Sequence, residues 1–301
     1  MTSLYQEVQQ ALRELPVRPS KRLGQHFLID RGVLERIVEL LQLKTEEEVL
    51  EIGPGLGFLT RRLAESARRV WAVEIDPFIV EWLRRTTCPK HPNLELVHAD
   101  ILAVDLAALL PDHPVKLAGN LPYQISTPLL FRLTEHRERF SLLVLMLQRE
   151  VADRLTARPG TKAYGALSVW WQLHGEVGER LRVAPEGFFP RPKVQSMVLQ
   201  MRFFPQPRAS VADLPLVRKV VRAAFNHRRK TLVNALGDLV AGKKKALEEI
   251  LRDARIDPNR RGETLDVGEF VGLAQIVRAR GLVAEDAQAG ARARSHLLPR
   301  S

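Results

Sequence analysis

Val49-Leu50-Glu51-Ile52-Gly53-Pro54-Gly55-Leu56-Gly57, running into Phe58-Leu59-Thr60-Arg61-Arg62-Leu63, reads as a strand, a glycine-rich turn and a helix. Glycines let the backbone pass close to a ligand and take φ values that side chains forbid. Gly-x-Gly alone is weak evidence. A dinucleotide site calls for a third glycine or an alanine at position 58, for close helix packing over a pyrophosphate. This chain has Phe58 there. The compact E-x-G-x-G-x-G form suits S-adenosylmethionine (SAM) instead. SAM has no pyrophosphate and presents a carboxylate and a sulfonium. Gly53 and Gly55 are therefore expected to touch the cofactor.

The segments that follow agree. Val70-Trp71-Ala72-Val73-Glu74-Ile75-Asp76 is an apolar run ending in acid. Glu74 comes about 20 residues after the glycine turn, where an acid at a strand end takes ribose hydroxyls. Leu94-Glu95-Leu96-Val97-His98 leads to Ala99-Asp100, and Asp100 is expected to accept from the adenine amine. A single acid at a strand end is often only a solvated cap, but several polar strand ends in one order point to a pocket. A fourth end carries Asn120-Leu121-Pro122-Tyr123, directly after the run from Val115 to Ala118. Pro122 fixes its own φ and biases Leu121 toward an extended form. Such an elbow aims the Asn120 side-chain oxygen and the Leu121 carbonyl into one small space. Both can accept from an exocyclic amine, which leaves its lone pair facing an electrophile. Tyr123 can stack on a heteroaromatic ring, and Phe188 or Phe189 can cover the other face.

Apolar runs alternate with helical patterns from Val49 to about Phe204, which implies βαβ units and a mostly parallel sheet. Ser196 to Phe203 reads as a last strand, of the kind that commonly enters antiparallel. Residues 1–17 form a helical extension, and 18–204 form the α/β domain, beginning with a basic arm that holds Lys21 and Arg22. Pro205-Gln206-Pro207 is a linker. Residues 205–283 are helical in pattern and strongly basic, with Arg222, Arg228, Arg229 and Lys230 as candidate phosphate contacts. Gly281 serves as a helix C-cap, and residues 284–301 read as a disordered tail.

At 301 residues the chain can bury a full core, and its net charge of +11 suggests a polyanionic partner. One cysteine, Cys88, excludes an intrachain disulfide. The eight histidines show no paired ligand spacing, so no metal is expected. The start of the chain is polar and lacks a signal-peptide core, and Leu142 to Leu147 is too short to cross a bilayer. A cytoplasmic protein follows from this reading.

Seven segments stand in one order: Gln25-His26-Phe27-Leu28, EIGPGLG, VEID, HADIL, GNLPY, Phe188-Phe189-Pro190-Arg191-Pro192-Lys193-Val194-Gln195-Ser196, and the stretch Ala224 to Leu232. In this the chain resembles the KsgA family of ribosomal RNA adenine dimethyltransferases, over roughly residues 18 to 280. The family often has Asn after the first Gln, where this chain has His26. The resemblance implies a Rossmann-like class I methyltransferase with a seven-stranded, mostly parallel sheet and a small all-helical C-terminal domain. It implies SAM as cofactor, held by His26, Leu28, Gly53, Gly55, Glu74, Asp100 and Asn120. Catalysis falls to Asn120, Leu121, Pro122, Tyr123 and Phe188. RNA contacts fall to Lys21, Arg22 and the four basic residues of the helical domain. The implied activity is N6,N6-dimethylation of two adjacent adenosines in the 3′-terminal hairpin of 16S rRNA, within the 30S subunit or its precursor, by a monomer. Two alternatives stand beside it. One is an Erm-type methyltransferase of large-subunit rRNA. The other is an RNA-binding assembly or transcription factor that keeps the fold without the chemistry.

Overall fold

A computed structural model describes residues 3–15, 19–20, 23–210, 212–239 and 244–280. Along the chain run α1 (Leu4–Glu14), β1 (Phe27–Leu28), α2 (Arg31–Leu41), β2 (Glu48–Ile52), α3 (Phe58–Ser66), β3 (Arg69–Glu74), α4 (Pro77–Thr86), β4 (Leu94–His98), α5 (Leu106–Leu109), β5 (Val115–Asn120), α6 (Ser126–Glu135), β6 (Phe140–Gln148) and α7 (Arg149–Leu155). Then come α8 (Ala166–His174), β7 (Gly175–Val183), β8 (Phe188–Phe189), β9 (Ser196–Phe203), α9 (Leu214–Asn226), α10 (Leu232–Ala235), α11 (Lys244–Asp253) and α12 (Val267–Ala279).

Local chemistry explains where these elements start and stop. Ser3 and Gln6 form a reciprocal capping box at α1, whose Leu4, Val8 and Ala11 share a buried face. The Asp30 carboxylate accepts from the Val33 N–H at the start of α2, and Gln42, in the left-handed region, ends it. Asp76 caps α4, with Pro77 in the first turn, where a missing N–H costs nothing.

Seven strands form one sheet in the order β4-β3-β2-β5-β6-β9-β7, as the resemblance implied. The pairings β3–β4, β2–β3, β2–β5 and β5–β6 are parallel. As expected for a late addition, β9 is antiparallel to β6, and β7 is antiparallel to β9. Every residue of β2 is buried, as are the first five of β5 and seven of the nine in β6. Each fully buried Leu or Val contributes about 1.5–3 kcal/mol through apolar area. Lys116, 7 % exposed within this core, reaches Glu47 and the Gln42 carbonyl with its Nζ.

From β2 the chain proceeds outward to β3 and β4, then crosses back to β5 and β6 on the other side. The connections leave the carboxyl ends of β2 and β5 in opposite directions. A crevice opens at such a point in an open α/β sheet. A second, two-stranded sheet pairs β1 with β8, Phe27 opposite Phe189 and Leu28 opposite Phe188.

Two compact units emerge, 1–156 with 174–206 and 157–173 with 207–301. This departs from the sequence-based division at 204/205, because 157–173 joins the C-terminal helices. Within that unit the Gly160 N–H donates to Glu263 O at 2.7 Å, and the Tyr164 hydroxyl donates to Leu265 O at 2.8 Å. These partners lie about a hundred residues away, so no local pattern announces them. The expected C-cap at Gly281 and the tail 284–301 lie outside the described residues, as do Lys21 and Arg22.

Candidate active site

The crevice at the switch point is a cavity of about 260 Å³. Its wall gathers every residue expected to hold the cofactor, together with the whole elbow: His26 and Leu28, Gly53 and Gly55, Glu74, Asp100, and Asn120 to Tyr123. The turn after β2 holds Gly53, Gly55 and Gly57 at φ of +68°, +54° and +85°. At Gly57 a β-carbon would also stand 2.8 Å from Leu83 Cδ2. A side chain there meets both backbone strain and a clash.

Glu74, at the end of β3, is 7 % exposed. Its Oε1 accepts from the Ile75 and Asp76 N–H groups, both at 2.9 Å, and its Oε2 accepts from Gly55 N–H at 3.4 Å. Burial lifts this carboxyl above the ordinary carboxylate range, while the Asp76 and Gly55 N–H groups pull the other way. Asp100 is exposed, and its Oδ1 accepts from the Leu102 N–H at 2.8 Å, which fixes the carboxylate at the end of β4. Glu51 also lines the cavity, and its Oε2 is buried without a hydrogen-bond partner among the described residues. A buried, unsatisfied carboxyl beside a glycine cradle fits a ligand that brings a cation. SAM carries two, an ammonium and a sulfonium.

The elbow is rigid for visible reasons. Leu121 is 1 % exposed, and its N–H donates to Met146 O at 3.0 Å, continuing the β5–β6 pairing past Asn120. The Asn120 Nδ2 donates to the His26 carbonyl at 2.9 Å, which leaves Oδ1 as the acceptor end of the amide. The Tyr123 hydroxyl bonds to Ser196 Oγ at 3.1 Å. One ring face of Tyr123 carries the His26 imidazole, with centroids 5.7 Å apart and planes 29° apart.

The arm that closes this side is tied down at several points. Gln25 Nε2 donates to Asp76 Oδ2 at 2.6 Å, and His26 Nδ1 donates to Pro190 O at 2.6 Å. A carbonyl only accepts, so the proton sits on Nδ1. None of these ties was read from the sequence, nor was the orphaned Glu51. The visible signals were a carboxylate between apolar Leu50 and Ile52 in a central strand, and an Asp-Pro helix start at Asp76 and Pro77.

Two expected site residues are placed differently. Phe188, expected over the substrate base, is 3 % exposed in the hydrophobic core and is not part of the cavity wall. Pairing of β8 with β1 decides this, because successive side chains of a strand point to opposite faces. Phe189 is half-buried and meets Tyr5 edge-on at 5.4 Å. Arg228, expected on phosphate, is engaged inside its own unit. Its Nε donates to Glu263, and one Nη donates to the carbonyls of Lys162 at 2.8 Å and Tyr164 at 3.2 Å. Arg222, Arg229 and Lys230 are exposed and make no ion pair among the described residues. Arg229 and Lys230 sit in the turn between α9 and α10, not on a helical face.

An open parallel sheet whose switch point joins a glycine turn to an acid on the neighbouring strand places the chain among the Rossmann-like, SAM-dependent methyltransferases. Within that class the elbow on β5 narrows the choice. Residues 18–272 match the family described as Ribosomal RNA adenine dimethylase, and the chain belongs to that family. It is 46 % identical over 269 residues to Ribosomal RNA small subunit methyltransferase A of Geobacter metallireducens, covering 88 % of this chain and 98 % of the relative. It is 47 % identical over 262 residues to the protein of the same name from Syntrophotalea carbinolica, covering 87 % and 97 %. Among solved structures it is similar to a dimethyladenosine transferase from Plasmodium falciparum, at 26 % identity and a TM-score of 0.73 over 86 % of this chain and 99 % of that one. It is also similar to the 23S rRNA methyltransferase ErmE, at 28 % identity and a TM-score of 0.62 over 84 % and 99 %.

Proposed function

We propose that this chain dimethylates N6 of two adjacent adenosines in the 3′-terminal hairpin loop of 16S rRNA, within the 30S subunit or its precursor, with SAM as donor. The observation that carries this reading is the Asn120 amide, pinned through Nδ2 in the wall of the same cavity that Glu74 and Asp100 line. High identity to small-subunit methyltransferases, over nearly their whole length, supports the small subunit over the large one.

SAM supplies a methyl group already activated on a sulfonium. The protein's task is alignment. Asp100 and Glu74 hold the adenine and ribose, and the turn at Gly53 and Gly55 lets the backbone approach the methionyl end. The target adenine leaves its stack and enters the pocket. Asn120 Oδ1 and the Leu121 carbonyl accept from the amine, which points its lone pair at the methyl group. They also stabilise the positive charge that grows on nitrogen. Holding the nucleophile in a near-attack pose supplies several kcal/mol of the barrier, roughly 7–11 at the upper limit. Tyr123 offers a ring face to the base. Arg222, Arg229 and Lys230 contact phosphates without reading sequence, as Lys21 and Arg22 do from the arm. The chain acts as a monomer in the cytoplasm.

Tritiated SAM with undermethylated 30S and 50S particles, followed by mapping of the label, tests the reading. Label is expected on two adjacent adenosines near the 3′ end of 16S rRNA. Label confined to 50S particles would assign the Erm-type activity instead. RNA binding without label would leave an assembly factor.

A further inference from the structure

Glu51 lies in β2, which is buried along its whole length, and is itself 1 % exposed. Its register neighbours are Ala72 on β3 and Ala118 on β5, neither of which offers a polar group. The residue lines the cavity, and its Oε2 is buried with no hydrogen-bond partner among the described residues. Thr60 of α3 stands beside it, near enough to favour the charged form but without a hydrogen bond of normal geometry. The charged group that acts on Glu51 is another acid, Glu74 of β3. The other titratable residues of the wall are Asp100, His26 and Tyr123. No lysine or arginine lines the cavity among the described residues.

Two buried acids on adjacent strands do not both ionise readily in an apolar wall. Burial pushes the Glu51 carboxyl up to about 8; the Thr60 hydroxyl pulls the other way, and the charge of Glu74 adds to the rise. The order of the strands says what Glu51 would meet. In the strand order β4, β3, β2, β5 the cavity-lining residues are Asp100 just past β4, Glu74 at the end of β3, Glu51 one residue before the end of β2, and Asn120 at the end of β5. With adenine at Asp100, ribose at Glu74 and the target amine at Asn120, β2 falls to the methionyl end of the cofactor. Both cations of SAM are there.

We propose that Glu51 is neutral in the empty cavity and ionises against a cationic group of the cofactor's methionyl end, so that cofactor binding expels one proton through this carboxyl. This rests on the SAM reading of the cavity. The Glu51 O–H bond breaks, its electron pair stays on oxygen, and the proton passes to solvent. The carboxylate then pairs with the cation, and the orphaned oxygen gains its partner. Affinity for the cofactor rises with pH as a result, by up to tenfold per unit, and flattens above about pH 8. The coupling makes Glu51 a recognition group for charge, distinct from the hydroxyl contacts of Glu74.

Calorimetry of SAM binding at pH 6.5, in buffers of different ionisation enthalpy, counts the protons released. At that pH the cofactor's own amine stays protonated, since α-amino groups titrate at about 7.7–8.0. The wild-type chain is expected to release about one proton more per SAM than Glu51→Gln. S-adenosylhomocysteine keeps the ammonium and lacks the sulfonium. Equal release with it assigns the ammonium, and release with SAM alone assigns the sulfonium. 5′-Methylthioadenosine lacks both cations and should release none. Equal release with methylthioadenosine, or a count unchanged in Glu51→Gln, overturns the proposal. Difference infrared spectroscopy on the wild-type chain needs no variant. The band of a buried protonated carboxyl should vanish on adding SAM, and its persistence also overturns the proposal. A wild-type chain that binds no SAM sinks the cofactor reading itself.

Discussion

Asn120 donates through Nδ2 to the His26 carbonyl, so its orientation is set before any substrate arrives. Asn120→Ala should therefore cut the single-turnover methylation rate by on the order of 10²–10³, by analogy with loss of one preorganised donor from an oxyanion hole. SAM affinity should fall far less. A wild-type rate would leave the elbow as a mere turn. At Tyr123 the ring and the hydroxyl have separate tasks. Tyr123→Ala removes the stacking face, worth roughly 1–3 kcal/mol per base. Tyr123→Phe keeps the face and loses only the bond to buried Ser196, a cost of about 1 kcal/mol. The same assay should rank wild type, Phe and Ala in that order. An enzyme as slow with Phe as with Ala would assign the role to the hydroxyl. Glu51 makes a prediction about stability. Its folded carboxyl titrates at about 8, above the ordinary 4.5 of an unfolded chain, so between those values the folded state binds the extra proton. Stability of the cofactor-free protein should fall as pH rises through that window. Glu51→Gln should flatten the profile in thermal melts.

At the scale of elements, the turn between β2 and α3 is constrained by both backbone conformation and packing. Gly57 combines φ +85° with Leu83 Cδ2 at 2.8 Å and Thr87 Oγ1 at 3.0 Å from a would-be β-carbon. Gly57→Ala should cost about 2–4 kcal/mol, adding left-handed strain to overpacking against α4. Denaturant melts would show it as a lower midpoint at an unchanged slope. An unaffected midpoint would mean that α4 yields easily. The β1–β8 pair is the other decisive element. It carries the QHFL arm to the FFPRP segment and sends Phe188 into the core.

For the whole molecule the question is how a basic chain divides its cations between folding and RNA. Arg228 clamps the carbonyls of Lys162 and Tyr164, whereas Arg222, Arg229 and Lys230 stand exposed. Neutralising those three should weaken binding to 30S particles and reduce the log–log salt slope by roughly one unit per lost contact, with SAM affinity unchanged. Arg228→Ala should instead lower stability by about 1–3 kcal/mol, because it removes charge-assisted bonds. Equal salt slopes across all four single variants would erase this division.

The glycine turn, the acids at Glu74 and Asp100 and the Asn120 elbow were legible because each depends on neighbours a few residues away. A positive φ needs glycine, a strand end follows an apolar run, and a proline fixes its own turn. The parallel sheet followed from the same alternation. What the sequence could not show were contacts between distant segments. The packing of 157–173 against the C-terminal helices rests on bonds to Glu263 and Leu265. The retreat of Phe188 rests on its pairing with Leu28. The tie from His26 to Asn120 spans ninety-four residues, and the isolation of Glu51 appears only when β3 and β5 flank it with alanines. A side chain's partners across the fold are set by where the whole chain closes, and no local propensity encodes that.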